Sequence, residues 1–331
     1  MKKYLITGCA GFIGTNFVYY MLNRYRDVLL VNLDKLTYAG SLENLKGVEG
    51  DPRHVFVWGD ICDKELVSGL FTKYEFDYVI NFAAESHVDR SIAAPEIFAQ
   101  TNVMGTVNLL QRAKEAWYDA EKKAWKEGRK YLQISTDEVY GTLGADGFFT
   151  EAAPVNPSSP YSSSKASADH FVKAFYDTYG MPVSITRCSN NYGPYQFPEK
   201  LIPLMIKYAR QHKPLPVYGD GLQIRDWLYV EDHCRAIDMV CNGGRIGEVY
   251  NIGGNNERTN IFIVRTIIEQ LRDRLKDDRI NESLIRHVED RPGHDRRYGI
   301  DSSKIKADLG WYTQTSFDTG IVKTIDWYLE T

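Results

Sequence analysis

Cysteine and histidine are scarce in this sequence, and neither occurs at a spacing that binds metal. The 331 residues include an odd number of cysteines, with no Cys-x-x-Cys pair among them: Cys9, Cys62, Cys188, Cys234 and Cys241. Such cysteines are typical of reduced thiols rather than of a disulfide framework or a zinc site. The seven histidines show no His-x-x-x-His spacing. We therefore predict no metal centre and a cytoplasmic location.

A basic excess and long apolar runs are also missing. Lys and Arg number 40 against 44 Asp and Glu, which gives a formal net charge of -4. A nucleic-acid-binding protein would usually carry a basic excess, so we predict no nucleic-acid partner. The apolar stretch after Lys3 is too short for a signal peptide, and no later stretch approaches the length of a membrane span. We predict no membrane partner either.

What the chain does have is an apolar share of 43% and a regular alternation of short β-branched runs with longer helical patterns. This alternation predicts an α/β fold built on a Rossmann-type, doubly wound parallel sheet. The predicted strands are residues 4–7, 28–33, 55–58, 78–81, 131–135 and 183–186. The predicted crossover helices are residues 12–25, 63–74, 95–117 and 160–179.

After Arg187 the alternation gives way to Pro- and Gly-rich segments with shorter helices and isolated strands between them. These features predict a second, smaller α/β lobe. Residues 226–240 and 249–252 look sheet-like and helix-like again, so we expect the chain to return to the first lobe there. The predicted domains are residues 1–187 with returns at about 226–252, and residues 188–225 with about 253–331.

A glycine-rich turn follows the first predicted strand and opens a helix. Gly8, Gly11 and Gly14 are spaced G-x-x-G-x-x-G, and Phe12 and Ile13 lie between the last two. Glycines in this context allow a tight turn and let a pyrophosphate approach the N–H groups of the helix N-terminus. We predict a dinucleotide site, although a simple glycine turn with a capping aspartate would give a similar pattern.

Asp34 stands at the end of the next strand, where a carboxylate would bind ribose hydroxyls. Its charge would repel the 2′-phosphate of NADP, so the predicted cofactor is NAD. The positive charge of the adjacent Lys35 is an argument in the other direction. Other candidate cofactor residues follow the third and fourth strands, at the edge where ligands of such sheets collect: Asp60, Ile61, Phe82, Ala83 and Ala84. Any of these could equally be part of an ordinary turn.

Tyr161 and Lys165 form a Tyr-x-x-x-Lys pair on a predicted helix. The i, i+4 spacing places both side chains on one face, where a Lys ammonium could lower the pKa of the phenol. A tyrosine with a lowered pKa could exchange a proton with a sugar hydroxyl near neutral pH. The pair is common by chance on exposed helices, and the prediction depends on the glycine loop and on the Ser135 to Glu138 segment.

The chain resembles the extended short-chain dehydrogenase/reductase family and, within it, the nucleotide-sugar 4,6-dehydratases. The glycine loop and the Tyr-x-x-x-Lys pair specify only the wider family. The Thr136-Asp137-Glu138 run discriminates, because related epimerases usually carry small residues in place of both carboxylates. The matching segments span nearly the whole chain: residues 34–40, 83–91, 135–141, 160–165, 188–194, 225–227 and 290–295. A short link between Gly141 and Glu151 departs from some family members.

The resemblance implies a redox-neutral dehydration. Tyr161, assisted by Lys165 and Thr136, would act in oxidation at C4 of a glucosyl unit; Glu138 would remove the C5 proton, and Asp137 would protonate the departing C6 hydroxyl. Return of hydride to C6 and of a proton to C5 would then restore NAD and complete the 4-keto-6-deoxy sugar. The alternative for Asp137 and Glu138 is a capping pair after a strand. Resemblance favours dTDP-glucose over UDP- or CDP-glucose.

The resemblance also assigns the remaining binding residues. The cofactor set gains Thr37, Ser86, Thr101, Tyr161, Lys165 and Asn191. The predicted substrate residues, for the sugar, the diphosphate and the base, are Ser86, Thr136, Asn190, Lys200, Leu201, Pro216, Val217, Tyr218, Arg225, Asn260, Asp290, Arg291 and His294. Residues 216–218 could stack on the pyrimidine base or simply line the core of the second lobe. Arg225 suits bidentate binding of a diphosphate, but a surface salt bridge to Asp226 or Glu231 is the alternative. His87 is left without a role.

Two other functions remain open at this point. A nucleotide-sugar 4-epimerase or decarboxylase would use the same tyrosine and NAD without elimination, and Asp137 and Glu138 argue against it. A catalytically silent NAD-binding module would need a decayed site, whereas every position that we can compare is occupied. The helical segments 95–117 and 160–179 are apolar on more than one face. In this family the matching helices pair across a two-fold axis, so we predict a homodimer.

Overall fold

The computed structural model of the protein describes residues 1–290 and 294–331, so Arg291 lies outside the described residues. The strands are β1 Lys2–Thr7, β2 Val28–Asp34, β3 His54–Trp58, β4 Tyr78–Asn81, β5 Tyr118–Asp119, β6 Ala124–Trp125, β7 Lys130–Thr136, β8 Val183–Cys188, β9 Asn190–Tyr192, β10 Leu215–Tyr218, β11 Ile224–Tyr229, β12 Val249–Ile252, β13 Glu257–Thr259 and β14 Ile285–Val288. The α-helices are α1 Phe12–Arg24, α2 Lys64–Tyr74, α3 Val88–Ala93, α4 Pro95–Phe98, α5 Thr106–Trp117, α6 Pro160–Tyr179, α7 Leu201–Arg210, α8 Val230–Gly243, α9 Asn260–Leu275, α10 Ser303–Leu309 and α11 Phe317–Glu330.

Seven strands form one parallel sheet in the order β12-β8-β7-β4-β1-β2-β3. The order reverses on either side of β1, so the carboxyl ends of β1 and β4 flank a switch point, the usual ligand position in such sheets. The predicted doubly wound sheet is confirmed.

Both faces of this sheet are covered, which explains its nearly continuous apolar strands. Successive side chains of β1 alternate between the faces: Leu5 joins one core with Val67, and Ile6 joins the other with Phe17. Helices α2, α5 and α6 contribute to the first core, and α1 and α8 to the second. A third core contains residues of α7, α9 and α11.

The chain leaves the main sheet directly after β8. Strand β9 pairs in parallel with β11, which also pairs antiparallel with β13, and β10 pairs with β14. Strand β12 then returns to the edge of the main sheet beside β8. Residues 224–229 therefore belong to the small sheet, and residues 249–252 to the large one. The exact division into a cofactor lobe and a substrate lobe stays a prediction.

The helix predicted over residues 95–117 is interrupted. Residues Ala99–Gly105 form a π-helical segment between α4 and α5. Within this segment the buried Asn102 side chain bonds both the N–H and the C=O of Glu85 and also Ser164 Oγ, at 2.8 to 3.0 Å. A π-helical turn of this kind is frequent at functional sites.

Candidate functional site

A cleft of about 520 Å³ opens at the carboxyl ends of the main-sheet strands. Its walls come from the glycine loop, the ends of β2, β4, β7 and β8, and the first turns of α6. It brings together all of the predicted catalytic and cofactor residues. It also includes two predicted substrate residues that are in neither of those groups, Asn190 and Lys200. The full set is Gly8, Gly11, Phe12, Ile13, Gly14, Asp34, Lys35, Thr37, Asp60, Ile61, Phe82, Ala83, Ala84, Ser86, Thr101, Thr136, Asp137, Glu138, Tyr161, Lys165, Asn190, Asn191 and Lys200.

Two glycines of the glycine loop have no room for a side chain. Gly8 has a positive φ of 69°, and a Cβ atom there would lie 2.6 Å from the backbone nitrogen of Ala83. A Cβ atom on Gly14 would lie 2.2 Å from the carbonyl oxygen of Gly8. Gly11, which precedes the first turn of α1, provides no side-chain cap, so the N-terminus of that helix faces the cleft without one. This cradle fits a pyrophosphate.

Asp34 holds the loop and still has acceptor capacity. Its carboxylate accepts hydrogen bonds from the N–H groups of Ala10 and Leu36, both at 2.8 Å. Burial raises the pKa of Asp34, and these two N–H groups act in the opposite direction. Because each carboxylate oxygen can accept more than one hydrogen bond, ribose hydroxyls fit here. Lys35 pairs with Asp60 at 2.7 Å, so its charge is already neutralised.

The catalytic candidates come from two neighbouring elements. Thr136 ends β7, and Asp137 and Glu138 open the 3₁₀ turn Asp137–Tyr140 that follows it. The Thr136 hydroxyl donates to Asp137 Oδ1 and accepts from the N–H of Glu138, both at 3.3 Å. Tyr161 lies in the first turn of α6, whose start is fixed by a capping box that includes Ser159.

Asp137 is a buried carboxyl group with two other acidic side chains nearby. It is only 2% exposed, and Oδ2 has no hydrogen-bond partner among the described residues. Burial is the main reason that its pKa lies well above the usual range, and the charges of Glu138 and Asp226 add to the effect. The charge of Arg225 acts in the opposite direction. This environment favours the protonated form of the carboxyl group, which is the form that a general acid requires.

The expected effect of Lys165 on Tyr161 is not what the structure shows. Burial is the main reason that the pKa of Tyr161 is well above its usual value, and the charge of Glu138 raises it further. The Thr136 side chain is the neighbour that lowers it. Lys165 Nζ donates to the carbonyl oxygen of Ile134 at 2.7 Å, and burial lowers the pKa of this amine. Desolvation of the Tyr161 hydroxyl therefore outweighs the predicted stabilisation of its phenolate form.

Most of the remaining predicted substrate residues form a second group. Among the described residues, the lining of the cleft does not include Leu201, Pro216, Val217, Tyr218, Arg225, Asn260, Asp290 or His294. The rings of Tyr218 and His294 meet edge to face at 6.3 Å, and His294 Nδ1 lies 2.5 Å from Asp290 Oδ1. Gln223 joins this group, since its side-chain amide donates to Asp290 at 2.8 Å and its backbone carbonyl oxygen accepts from the N–H of Asn260.

Arg225 lies between the two groups. It is 5% exposed, donates to the carbonyl oxygens of Ile224 and Asp295, and stands 4.2 Å from the ring centre of Tyr298. Its charge also reaches Asp137 in the cleft. The surface salt bridge considered as an alternative therefore does not describe this buried side chain.

The sequence interpretation missed several residues at this site. Cleft-lining residues that it did not assign are Gly40, Glu85, Arg90, Ile97, Cys188, Ser189, Gln196, Phe197 and Glu199, among others. Several of them, such as Ser189 beside Asn190, lie next to assigned positions and could have been found by extending the motifs. His233, which contacts Asn191 from α8, gave no such signal, because a lone histidine in a helical pattern is usually structural.

The part of the chain that the structure describes contains no group of three metal-ligating side chains. None of its described helices is long and apolar enough to cross a membrane.

Comparison with known proteins gives full-length matches. A family model described as GDP-mannose 4,6 dehydratase matches residues 5–324. A dTDP-glucose 4,6-dehydratase of Xanthomonas campestris pv. campestris is 55% identical over 332 residues, which cover 99% of this chain and 93% of that protein. Two solved structures are also similar. The NAD complex of a Bacillus anthracis dTDP-glucose 4,6-dehydratase is 48% identical, with a TM-score of 0.88 and coverage of 100% and 97%. A Streptomyces venezuelae dTDP-glucose 4,6-dehydratase, solved with NAD and a second ligand, is 45% identical, with a TM-score of 0.91 and coverage of 99% and 97%.

Proposed function

The chain belongs to the dTDP-glucose 4,6-dehydratases of the extended short-chain dehydrogenase/reductase family, and we propose that the residues of its cleft perform the reaction in the roles given below. It is a lyase that uses NAD to remove one water from dTDP-glucose, which gives dTDP-4-keto-6-deoxyglucose for deoxysugar biosynthesis. Oxidation at C4 and reduction at C6 cancel, so no net oxidant is consumed.

Tyr161 is the proposed base for the first step, in which the O4 proton leaves the sugar. NAD, when bound, supplies the hydride acceptor at C4 and returns the hydride to C6. The Thr136 hydroxyl lies beside Tyr161 and lowers its pKa, which supports a role in binding the 4-oxygen. Lys165 is held by the carbonyl oxygen of Ile134, at the end of β7. This contact supports a role in binding the nicotinamide ribose.

The elimination is assigned to the two adjacent carboxyl groups. The 4-ketone makes the C5 proton acidic, and Glu138 removes it as a carboxylate. Asp137 donates a proton to the C6 hydroxyl, which leaves as water. When hydride returns to C6, Glu138 returns its proton to C5, and the O4 proton taken up by Tyr161 balances the proton that Asp137 has lost. The observation that carries this assignment is the buried Asp137 carboxyl, whose environment favours the protonated form, next to Glu138 and in one cleft with Tyr161.

The nucleotide is proposed to extend from the cleft toward the second group of residues. Arg225 would bind the diphosphate, and its position between Asp137 and the carbonyl of Asp295 supports this role. The base would lie near Tyr218 and Asn260. Lys200 lines the cleft and donates to the carbonyl oxygen of Ser86 at 3.0 Å, which supports a place for both residues beside the sugar.

A homodimer in the cytoplasm is the proposed setting. The support for a dimer is a set of exposed apolar side chains on helices that pack against one another: Ile92, Ile97, Met104 and Phe171. The five cysteines are all unpaired thiols, which supports a reducing compartment.

Mass spectrometry of sugar nucleotides incubated with the purified protein tests the function. We expect dTDP-glucose to lose the mass of one water without added NAD, because the cofactor is recycled, and UDP-glucose and CDP-glucose to remain unchanged. Loss of water from another donor would correct the base. A rearranged product of unchanged mass would indicate an epimerase, and no reaction of any donor even with NAD added would refute the proposal.

A further inference from the structure

His233 lies on α8 and is completely buried, with no exposed surface. Its Nδ1 atom is 2.9 Å from Oδ1 of Asn191, a residue that lines the cleft. The Asn191 amide is oriented by a second contact, because its Nδ2 atom donates to the carbonyl oxygen of Ser189 at 2.9 Å. An amide oxygen can only accept a hydrogen bond, so Nδ1 of His233 must carry a proton.

The other ring nitrogen of His233 is equally constrained. Nε2 is buried and has no hydrogen-bond partner among the described residues. Burial, with no charged neighbour contributing, lowers the pKa of His233 to about 3. The imidazole is therefore neutral at every working pH, with its proton on Nδ1, and it acts as a fixed donor to Asn191.

Asn191 has one N–H group whose partner is only the weakly accepting thiol of Cys188, so a ligand in the cleft can compete for it. Its side-chain amide has two N–H groups, and the carbonyl of Ser189 takes one of them. The backbone is held as well, because Gln196 Nε2 donates to the carbonyl oxygen of Asn191 at 3.0 Å. The direction of the remaining N–H is thus determined by contacts with Ser189 and His233.

We propose that His233 is a positioning residue for the cofactor site, which fixes the Asn191 amide so that its remaining N–H group is available to bound NAD. The inference rests on the proposed function only in taking the cleft to be the NAD site. His233 does not touch the cleft, so its effect on NAD passes through Asn191. Loss of its donor would let the amide rotate and would leave Asn191 Oδ1 buried without its present hydrogen bond.

The test compares two substitutions of His233 in the full-length protein. His233→Leu removes the donor, whereas His233→Asn can restore an N–H group near the position of Nδ1. We expect His233→Leu to bind NAD about tenfold more weakly, measured as NAD retained after gel filtration and by titration, with a smaller change in kcat at saturating NAD. His233→Asn should recover most of the NAD affinity. His54→Asn, a histidine at the opposite end of the strands, serves as the matched control and should retain NAD as the wild type does.

Equal NAD retention by His233→Leu and the wild type would overturn the inference, as would equal loss in both His233 variants with unchanged melting temperatures. A wild type that binds no NAD would instead overturn the proposed function, and this inference with it. If His233→Leu fails to fold, ¹⁵N NMR of the wild-type imidazole decides. We expect a protonated Nδ1 and a bare Nε2 at neutral pH, and a protonated Nε2 would contradict the proposal.

Discussion

At the scale of single residues, the proposed elimination depends on two adjacent carboxyl groups, one as the acid and one as the base. Asp137 is buried beside Glu138, and a negative charge on one disfavours ionisation of the other. Because Asp137 is also almost fully desolvated, its environment favours the protonated form. An acid and a base can thus stand side by side at one pH, which elimination across C5 and C6 requires.

Glu138→Gln separates oxidation from elimination. We expect this variant to lose about 10²- to 10⁴-fold in the rate of water loss, the usual contribution of a general base. The near-ultraviolet absorbance of reduced nicotinamide should nevertheless rise when dTDP-glucose is added, because oxidation at C4 needs Tyr161 and not Glu138. Asp146→Asn, an exposed carboxylate in the 141–151 link, is the control and should turn over normally. Unchanged turnover in Glu138→Gln would contradict the assignment.

The residue scale also shows a limit of sequence interpretation. The types and spacing of Tyr161 and Lys165 led to the prediction that the ammonium lowers the pKa of the phenol. The net pKa of Tyr161 is nevertheless raised in the structure, because burial disfavours the charged forms of both groups. Burial depends on what packs against α6 from distant parts of the chain, and no local motif encodes it.

At the scale of elements, the glycine loop is built for backbone contact. Gly14→Ala would place a Cβ atom 2.2 Å from the Gly8 carbonyl oxygen and 2.9 Å from Cys9 Cα, so the backbone must shift. Overpacking of this kind costs about 1–3 kcal/mol. If the whole cost falls on cofactor binding, we expect an NAD affinity about five- to 150-fold weaker, measured by titration.

Gly69→Ala is the matched control for the Gly14 substitution. Gly69 lies on the exposed side of α2, and a Cβ atom there would have no heavy atom within 4 Å. We expect this variant to bind NAD normally and to be more stable by up to about 1 kcal/mol, because alanine has the higher helix propensity. If Gly14→Ala binds NAD as tightly as Gly69→Ala does, the loop is not the pyrophosphate site.

The sequence predicted the regular elements well and the irregular ones poorly. The six predicted strands of the main sheet agree with the structure to within two residues at each end, because their apolar runs are set by burial on both faces. The π-helical segment at Ala99–Gly105 was not predicted, since Asn102 forms its hydrogen bonds with Glu85 and Ser164, far away in sequence. The placement of Pro216–Tyr218 outside the cleft likewise depends on pairing with β14.

At the scale of the whole molecule, the main sheet and the third core are joined through the catalytic region. Strand β8 ends at Cys188 in the cleft, and β9 begins two residues later in the small sheet with Asn190 and Asn191, which also line the cleft. The same short segment therefore supplies proposed cofactor and substrate contacts and connects the two regions. A nucleotide sugar that contacts both sides would be held where the chain crosses over.

The proposed dimer interface is a surface of exposed apolar side chains on neighbouring helices. Ile92 lies on α3, Met104 lies in the π-helical segment after α4, and Phe171 lies on α6. These side chains are between 42% and 54% exposed, and the elements that carry them contact one another. Such a concentration of exposed apolar side chains marks an interaction surface, and for two copies of one chain a two-fold axis would bring α6 of one copy against the same region of the other. Because Ile97 in this region also lines the cleft, the dimer would support a wall of the NAD site.

Light scattering at micromolar concentration is expected to give twice the chain mass of 37.9 kDa. Phe171→Glu should shift the protein toward the monomer, because an unpaired charge would be buried at the interface. The monomer should also retain less NAD, since Ile97 would lose its support. Leu275→Glu changes a side chain that is 43% exposed at the end of α9, distant in the chain from this surface, and should remain dimeric. A monomeric mass for the wild type would refute the dimer, and a dimeric Phe171→Glu variant would place the interface elsewhere.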